Sequence, residues 1–132
     1  MSGLVWEAVD VKQITRRKGE AFASIGQGRI ALNPEACELL SNIYSYEWID
    51  ILQAKEGSRV VKIGLRFTNH KDKNSLRATR RKYKGKETGG ININSKSLVK
   101  KFFGETRTTT TSRYAVEKVD DITIAIDILR EI

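Results

Sequence analysis

Gly28-Arg29-Ile30-Ala31-Leu32-Asn33 and Gly89-Gly90-Ile91-Asn92-Ile93-Asn94 are the two stretches that decide the fold. Each alternates apolar and polar residues, the period-2 signature of a half-buried strand. Each ends on an Asn before a helix-like stretch, and two strand-like runs follow each helix. A unit of β-β-α-β-β is therefore written twice, over about residues 20–68 and 75–129. Two such units share a core that neither buries alone, since about 45 residues is below the usual size for independent stability. The expected fold is α+β and strand-rich: a small barrel or curved antiparallel sheets built from two β-β-α-β-β repeats, with two short helices. The differences between the copies are then where function is to be sought.

Working outward, Asn33-Pro34 is a helix start, because Asn accepts from an orphan backbone N–H and Pro is pre-set for the first helical position. The spacing of Ala36, Leu39, Leu40 and Ile43 predicts a helix running to about Ile43. In the second unit Asn94 or Ser95 caps a helix whose apolar face is Leu98, Val99, Phe102 and Phe103, and Gly104 stops it. Strands are predicted over 20–25, 29–32, 46–54, 59–67, 76–83, 113–119 and 122–128, with 84–90 as a flexible Gly-containing loop. Residues 1–15 read as a leading strand or arm.

The 132 residues fit a single domain. The lone Cys37 excludes an internal disulfide and sits in an apolar helix pattern, where it reads as a small buried hydrophobe. No apolar run approaches about 18 residues and no signal-peptide core opens the chain, so a cytoplasmic protein without a membrane partner is expected.

The net charge of +8 is uneven. Residues 1–70 hold nine Lys/Arg against eight Asp/Glu, whereas residues 71–113 hold thirteen against three. Residues 71–86 carry eight bases and one acid. Such a local excess attracts polyanions. Edge-strand protection explains one or two lysines but not eight bases, since alternating signs protect equally and repel less. On a strand Arg77, Thr79, Arg81 and Tyr83 share one face and Ala78, Arg80, Lys82 and Lys84 the other. With charge on both faces, this strand reads as an edge or as a ribbon projecting into solvent. The binding candidates are Arg77, Arg80, Arg81, Lys82, Lys84 and Lys86, with Tyr83 able to stack on a base or pack across the strand. Arg16, Arg17 and Lys18 form a second cluster, with Arg29 near it, and Lys96, Lys100 and Lys101 a third.

Catalysis has little support. His70 stands alone in a polar linker. There is no metal-ligand spacing and no phosphate-cradling loop, and Asp120-Asp121 reads as a turn. Neither a cofactor nor a metal is expected.

GRIALNPEACELL resembles the AbrB/MazE-like DNA-binding family through Gly28, Arg29, Ile30, Pro34 and Leu39-Leu40. The usual Gly-Asp turn after the helix is missing, and the second unit has Gly90 and Ser95 where Arg and Pro would stand. The resemblance implies an intertwined barrel of two units, here in one chain, that binds duplex DNA. It makes Arg16, Arg17 and Arg29 contact candidates, matched in the second half by Arg77, Arg80, Arg81 and Lys82. Residues 46–103 also resemble the coactivator and Whirly-type fold, which implies a curved sheet binding single-stranded nucleic acid. The expected function is non-enzymatic, regulatory or architectural nucleic-acid binding. Duplex DNA is favoured over single strands, with a module docking on an acidic protein as the alternative. Whether the molecule is a monomeric pseudo-dimer or a homo-oligomer stays open.

Overall fold

The computed structural model describes residues 4–8 and 20–132. Among the described residues nine strands form one antiparallel sheet. In chain order they are β1 (Phe22–Gly26), β2 (Arg29–Leu32), β3 (Trp48–Glu56), β4 (Arg59–Thr68), β5 (Leu76–Arg77), β6 (Thr79–Tyr83), β7 (Lys86–Asn94), β8 (Thr111–Asp120) and β9 (Thr123–Glu131). Helix α1 (Pro34–Cys37) follows β2, and helix α2 (Lys96–Phe103) follows β7. Strand-rich α+β architecture with two short helices is what the patterning predicts.

The spatial order is β5-β3-β4-β9-β8-β1-β2-β7-β6. The two ends of that order are neighbours in sequence, separated only by Ala78. Leu76 and Arg77 pair with Ile49 and Trp48 of β3 on one side, while Thr79 and Arg80 pair with Asn92 and Ile91 of β7 on the other. Ala78 itself donates its N–H to the Glu47 carbonyl at 2.8 Å. The run 76–83 thus touches both margins of the sheet and nearly closes it into a barrel. The run still supplies both edge strands of the sheet, as its charge on both faces predicts, and bridges from one margin to the other. Residues 46–103 make no sheet of their own, because β4 pairs with β9 and β7 with β2.

Inward-facing residues at period 2 fill the interior. Ile25, Ile30, Leu32, Ile63, Leu65, Phe67, Ile91, Ile93, Ile124 and Ile126 are fully or almost fully buried. The start of α1 lies over Gly89 of β7, and the start of α2 over Gly28 of the β1–β2 turn. A Cβ on Gly89 would fall 2.9 Å from Pro34 Cβ, and one on Gly28 would fall 3.3 Å from Lys96 Cβ.

Asn33 does more than cap α1. Its Oδ1 accepts from Ala36 N–H at 2.9 Å and from Phe22 N–H at 3.0 Å, and its Nδ2 donates to the Glu20 carbonyl at 2.9 Å. In the second unit the cap is Ser95, whose hydroxyl accepts from Leu98 N–H at 3.2 Å. Helix α1 is shorter than its apolar spacing predicts. After Cys37 the chain tightens into i→i+3 bonds (Leu39 N–H to Ala36, Leu40 N–H to Cys37), and Ile43–Ser45 forms a 3₁₀ turn. Ser41 and Asn42, which follow directly, are weaker helix formers than the Ala and Leu before them. Leu40 and Ile43 remain buried all the same.

The loop expected at 84–90 is mostly strand. β7 begins at Lys86, and only Lys84-Gly85 turns the chain, with φ of 51° and 77°. Two positive φ values in a two-residue hairpin loop make a type I′ turn, whose twist matches that of the flanking strands. The leading arm expected over 1–15 lies largely outside the described residues. Leu4–Ala8 form no strand, and Trp6 is 90% exposed.

Candidate nucleic-acid interface

The β6–β7 hairpin sets out the basic residues. As far as Arg81 the expected alternation holds: Arg77, Thr79 and Arg81 are exposed, while Leu76, Ala78 and Arg80 are half-buried. A register shift between Arg80 and Lys82 then breaks the pairing. A bulge increases local twist and turns side chains. Beyond it Lys82, Tyr83, Lys84 and Lys86 are all exposed, with Tyr83 at 66%.

Arg80 differs from its neighbours. Its guanidinium lies 4.2 Å from the Tyr44 ring centroid, donates through Nη1 to Glu87 Oε2 at 2.8 Å, and donates through Nε to the Thr88 carbonyl at 3.3 Å. Tyr44 in turn accepts from Gly90 N–H at 2.9 Å through its hydroxyl. Arg80 therefore braces the hairpin root. Burial, ahead of the other influences, raises the Tyr44 phenol above its ordinary pKa.

Among the described residues Arg77, Arg81, Lys82, Lys84 and Lys86 have no acid partner. Lys84 Nζ sits 5.4 Å from the Tyr83 ring. Arg77 and Lys71 both lie over Trp48, at 5.9 and 4.8 Å. Elsewhere four cations are matched: Lys62 with Glu117, Arg66 with Asp50 at 3.3 Å, Arg107 with Glu131 at 3.2 Å, and Lys118 with Asp121 at 3.3 Å. Glu117 raises the Lys62 pKa, chiefly through their hydrogen bond.

Arg16, Arg17 and Lys18 lie outside the described residues. Arg29 is exposed and pairs with Asn94, at the end of β7 opposite Lys86. Nine residues of strand separate those ends by about 27 Å, so Arg29 is not beside the hairpin tip. In the third cluster Lys96 adjoins Gly28, Lys100 lies 3.9 Å from Glu105, and Lys101 stands over Phe102. Sequence reasoning did not single out Tyr44, Trp48 or Arg113. Only Arg113 had a legible signal, as an outward position alternating with Tyr114.

Among the described residues no three His, Cys, Asp or Glu side chains gather as a metal site, and no helix is long and apolar enough to cross a membrane. The chain matches no family model, no curated protein and no solved structure.

Proposed function

We propose that this chain is a non-enzymatic nucleic-acid-binding protein of the cytoplasm, regulatory or architectural, that grips duplex DNA through the β6–β7 hairpin. The carrying observation is that Arg77, Arg81, Lys82, Lys84 and Lys86 cluster on one short run and its hairpin, exposed and without an acid partner among the described residues, while Lys62 and Arg66 of β4 and Lys118 of β8 are ion-paired. Free cations on a projecting ribbon release counterions from phosphates, and a two-stranded ribbon fits the major groove.

The two-unit reading belongs to the same proposal. Exchanging β1 with the β5–β6 run, β2 with β7, β3 with β8 and β4 with β9 leaves every neighbour in the strand order unchanged. The exchange sets the β1–β2 hairpin against β6–β7, and both turn through two residues of positive φ, Gln27-Gly28 and Lys84-Gly85. The second hairpin is longer, and its extra length is Arg81 to Gly90. The departure from symmetry is thus the basic element. This order also supports the AbrB/MazE-like resemblance, in which two such units make one barrel.

The test is the Arg81→Ala/Lys82→Ala/Lys84→Ala variant in a duplex gel shift. Binding should weaken across all sequences, with a flatter salt dependence and little change in melting temperature. Wild-type binding by the folded variant rules the hairpin out. A single-strand reading has one observation in its favour, the exposed ring of Tyr83 beside Lys84, on which a base could stack. Competition between duplex, single-stranded DNA and RNA probes separates the two.

A further inference from the structure

Strands β1, β2, β7 and β6 lie side by side, and residues paired across antiparallel strands point the same way. One outward row therefore runs Ser24, Ala31, Asn92, Thr79. All four side chains are short, while their neighbours in sequence, among them Ile25, Ile30, Ile91 and Ile93, point into the core.

Arginines surround this row. Arg29 stands on β2 beyond Ala31, and Arg77 and Arg81 flank Thr79 on the closing run. Arg113, the β8 partner of Ser24, holds its guanidinium 4.4 Å from the Phe22 ring of β1. All four are exposed, and none has an acid partner among the described residues. The acids at the margin are Glu20 ahead of β1, Glu87 held by Arg80, and Glu117 held by Lys62. Asn92 keeps its Oδ1 without a hydrogen-bond partner.

The geometry points to this face as a phosphate-docking surface for double-helical nucleic acid. The inference rests on the nucleic-acid reading above and names the surface that seats the partner. The row from Ser24 to Thr79 spans three strand spacings, about 14 Å, and Arg77 and Arg81 are about 13 Å apart along their run. Those distances are close to the roughly 12 Å width of a major groove. Short central side chains let a sugar-phosphate backbone approach the sheet, and arginine forks bind phosphate in bidentate fashion. A protein partner would want a large apolar anchor at the centre, where Ala31, Ser24 and Thr79 stand instead. A single strand would want an open aromatic face, but Arg113 already covers Phe22. Because the β6–β7 hairpin continues from Arg81, a duplex seated here has the basic tip at its flank.

The test uses the full chain and a labelled random-sequence duplex, titrated between about 50 and 200 mM salt. Arg29→Ala/Arg113→Ala should bind at least about tenfold more weakly, with a log-log salt slope shallower by about 2. Ala31→Glu, which puts a carboxylate in the middle of the row, should also lose affinity. Arg29→Lys/Arg113→Lys should recover much of it, and Lys55→Ala/Arg59→Ala at the β3–β4 turn should change nothing. Melting temperatures confirm that each variant is folded. Wild-type affinity in both the arginine double and Ala31→Glu, alongside lost affinity in the hairpin variant, overturns the docking face and leaves the hairpin reading intact. A wild-type chain that binds no duplex overturns both.

Discussion

Asn33 shows how much one side chain can hold. It is 7% exposed and satisfies two backbone N–H groups and one carbonyl from two segments of chain. Asn33→Ala leaves the Phe22 and Ala36 N–H groups without that acceptor, and it should cost about 2–4 kcal/mol by chemical denaturation, combining a lost cap with an orphaned buried donor. The equivalent Asn94 is exposed and does not cap its helix, so Asn94→Ala should cost little. A sequence reader sees two Asn in matching places; only the fold shows that Ser95 has taken the capping role in the second. Cys37 is legible from its apolar surroundings as a buried thiol. Burial raises its pKa, against the lowering pull of the Tyr44 hydroxyl and the Ile91 and Gly90 backbone. A raised folded value means that the stability it contributes is whole below the ordinary thiol range and is lost as pH rises through the folded pKa. The alkaline limb of the stability curve should therefore be steeper in the wild type than in Cys37→Ala, and thiol reagents should label Cys37 only as the protein unfolds.

At the scale of elements, strands were easier to read than helices and turns. Alternation over Ile122–Ile128 or Val61–Phe67 reflects burial on one face of a sheet, a constraint that acts residue by residue. The end of α1 depends instead on tertiary demands. Leu40 and Ile43 reach the core through 3₁₀ bonds rather than by continuing the helix, so helical spacing was legible and helix length was not. Leu40→Ala should cost about 2–5 kcal/mol and Leu39→Ala, half-buried, distinctly less. The Gly residues of 84–90 suggest a flexible loop, whereas all but the two-residue turn is strand. They serve different purposes. Gly85, with φ of 77°, stands in open space, and Gly85→Ala should cost about 1 kcal/mol of backbone strain. Gly90, with φ of 111°, has the Leu32 carbonyl 2.9 Å from where a Cβ would sit. Gly90→Ala should cost about 1–3 kcal/mol and, by displacing the Arg81 stem, disturb the hairpin root. Urea melts of the two variants check the ranking.

At the scale of the molecule, period-2 alternation along the chain foreshadowed a strand-rich, nearly closed antiparallel sheet with two short helices. What composition could not reveal was how run 76–83 divides its work. Its first half seals the barrel, and its second half leaves the body as a ribbon. Charge on both faces argued against burial between two cores, and that much holds. Yet Arg80 is tied to Tyr44, Glu87 and Thr88, partners that lie far off in sequence or depend on hairpin register. The acids also sort by position. Asp50 of β3 and Glu117 of β8 meet cations of β4 across the sheet, while Arg29 of β2, Arg77 of β5, Arg81 of β6 and Arg113 of β8 have no acid partner among the described residues. That separation follows from strand order and register, which no run of sequence displays.

Duplex affinity of the intact wild-type chain as a function of salt tests the central claim most directly. Five unmatched cations on the closing run and hairpin, acting with Arg29 and Arg113, predict a fall of about a thousandfold or more between roughly 50 and 200 mM salt. An affinity that is absent at low salt, or that stays level across that range, contradicts the account.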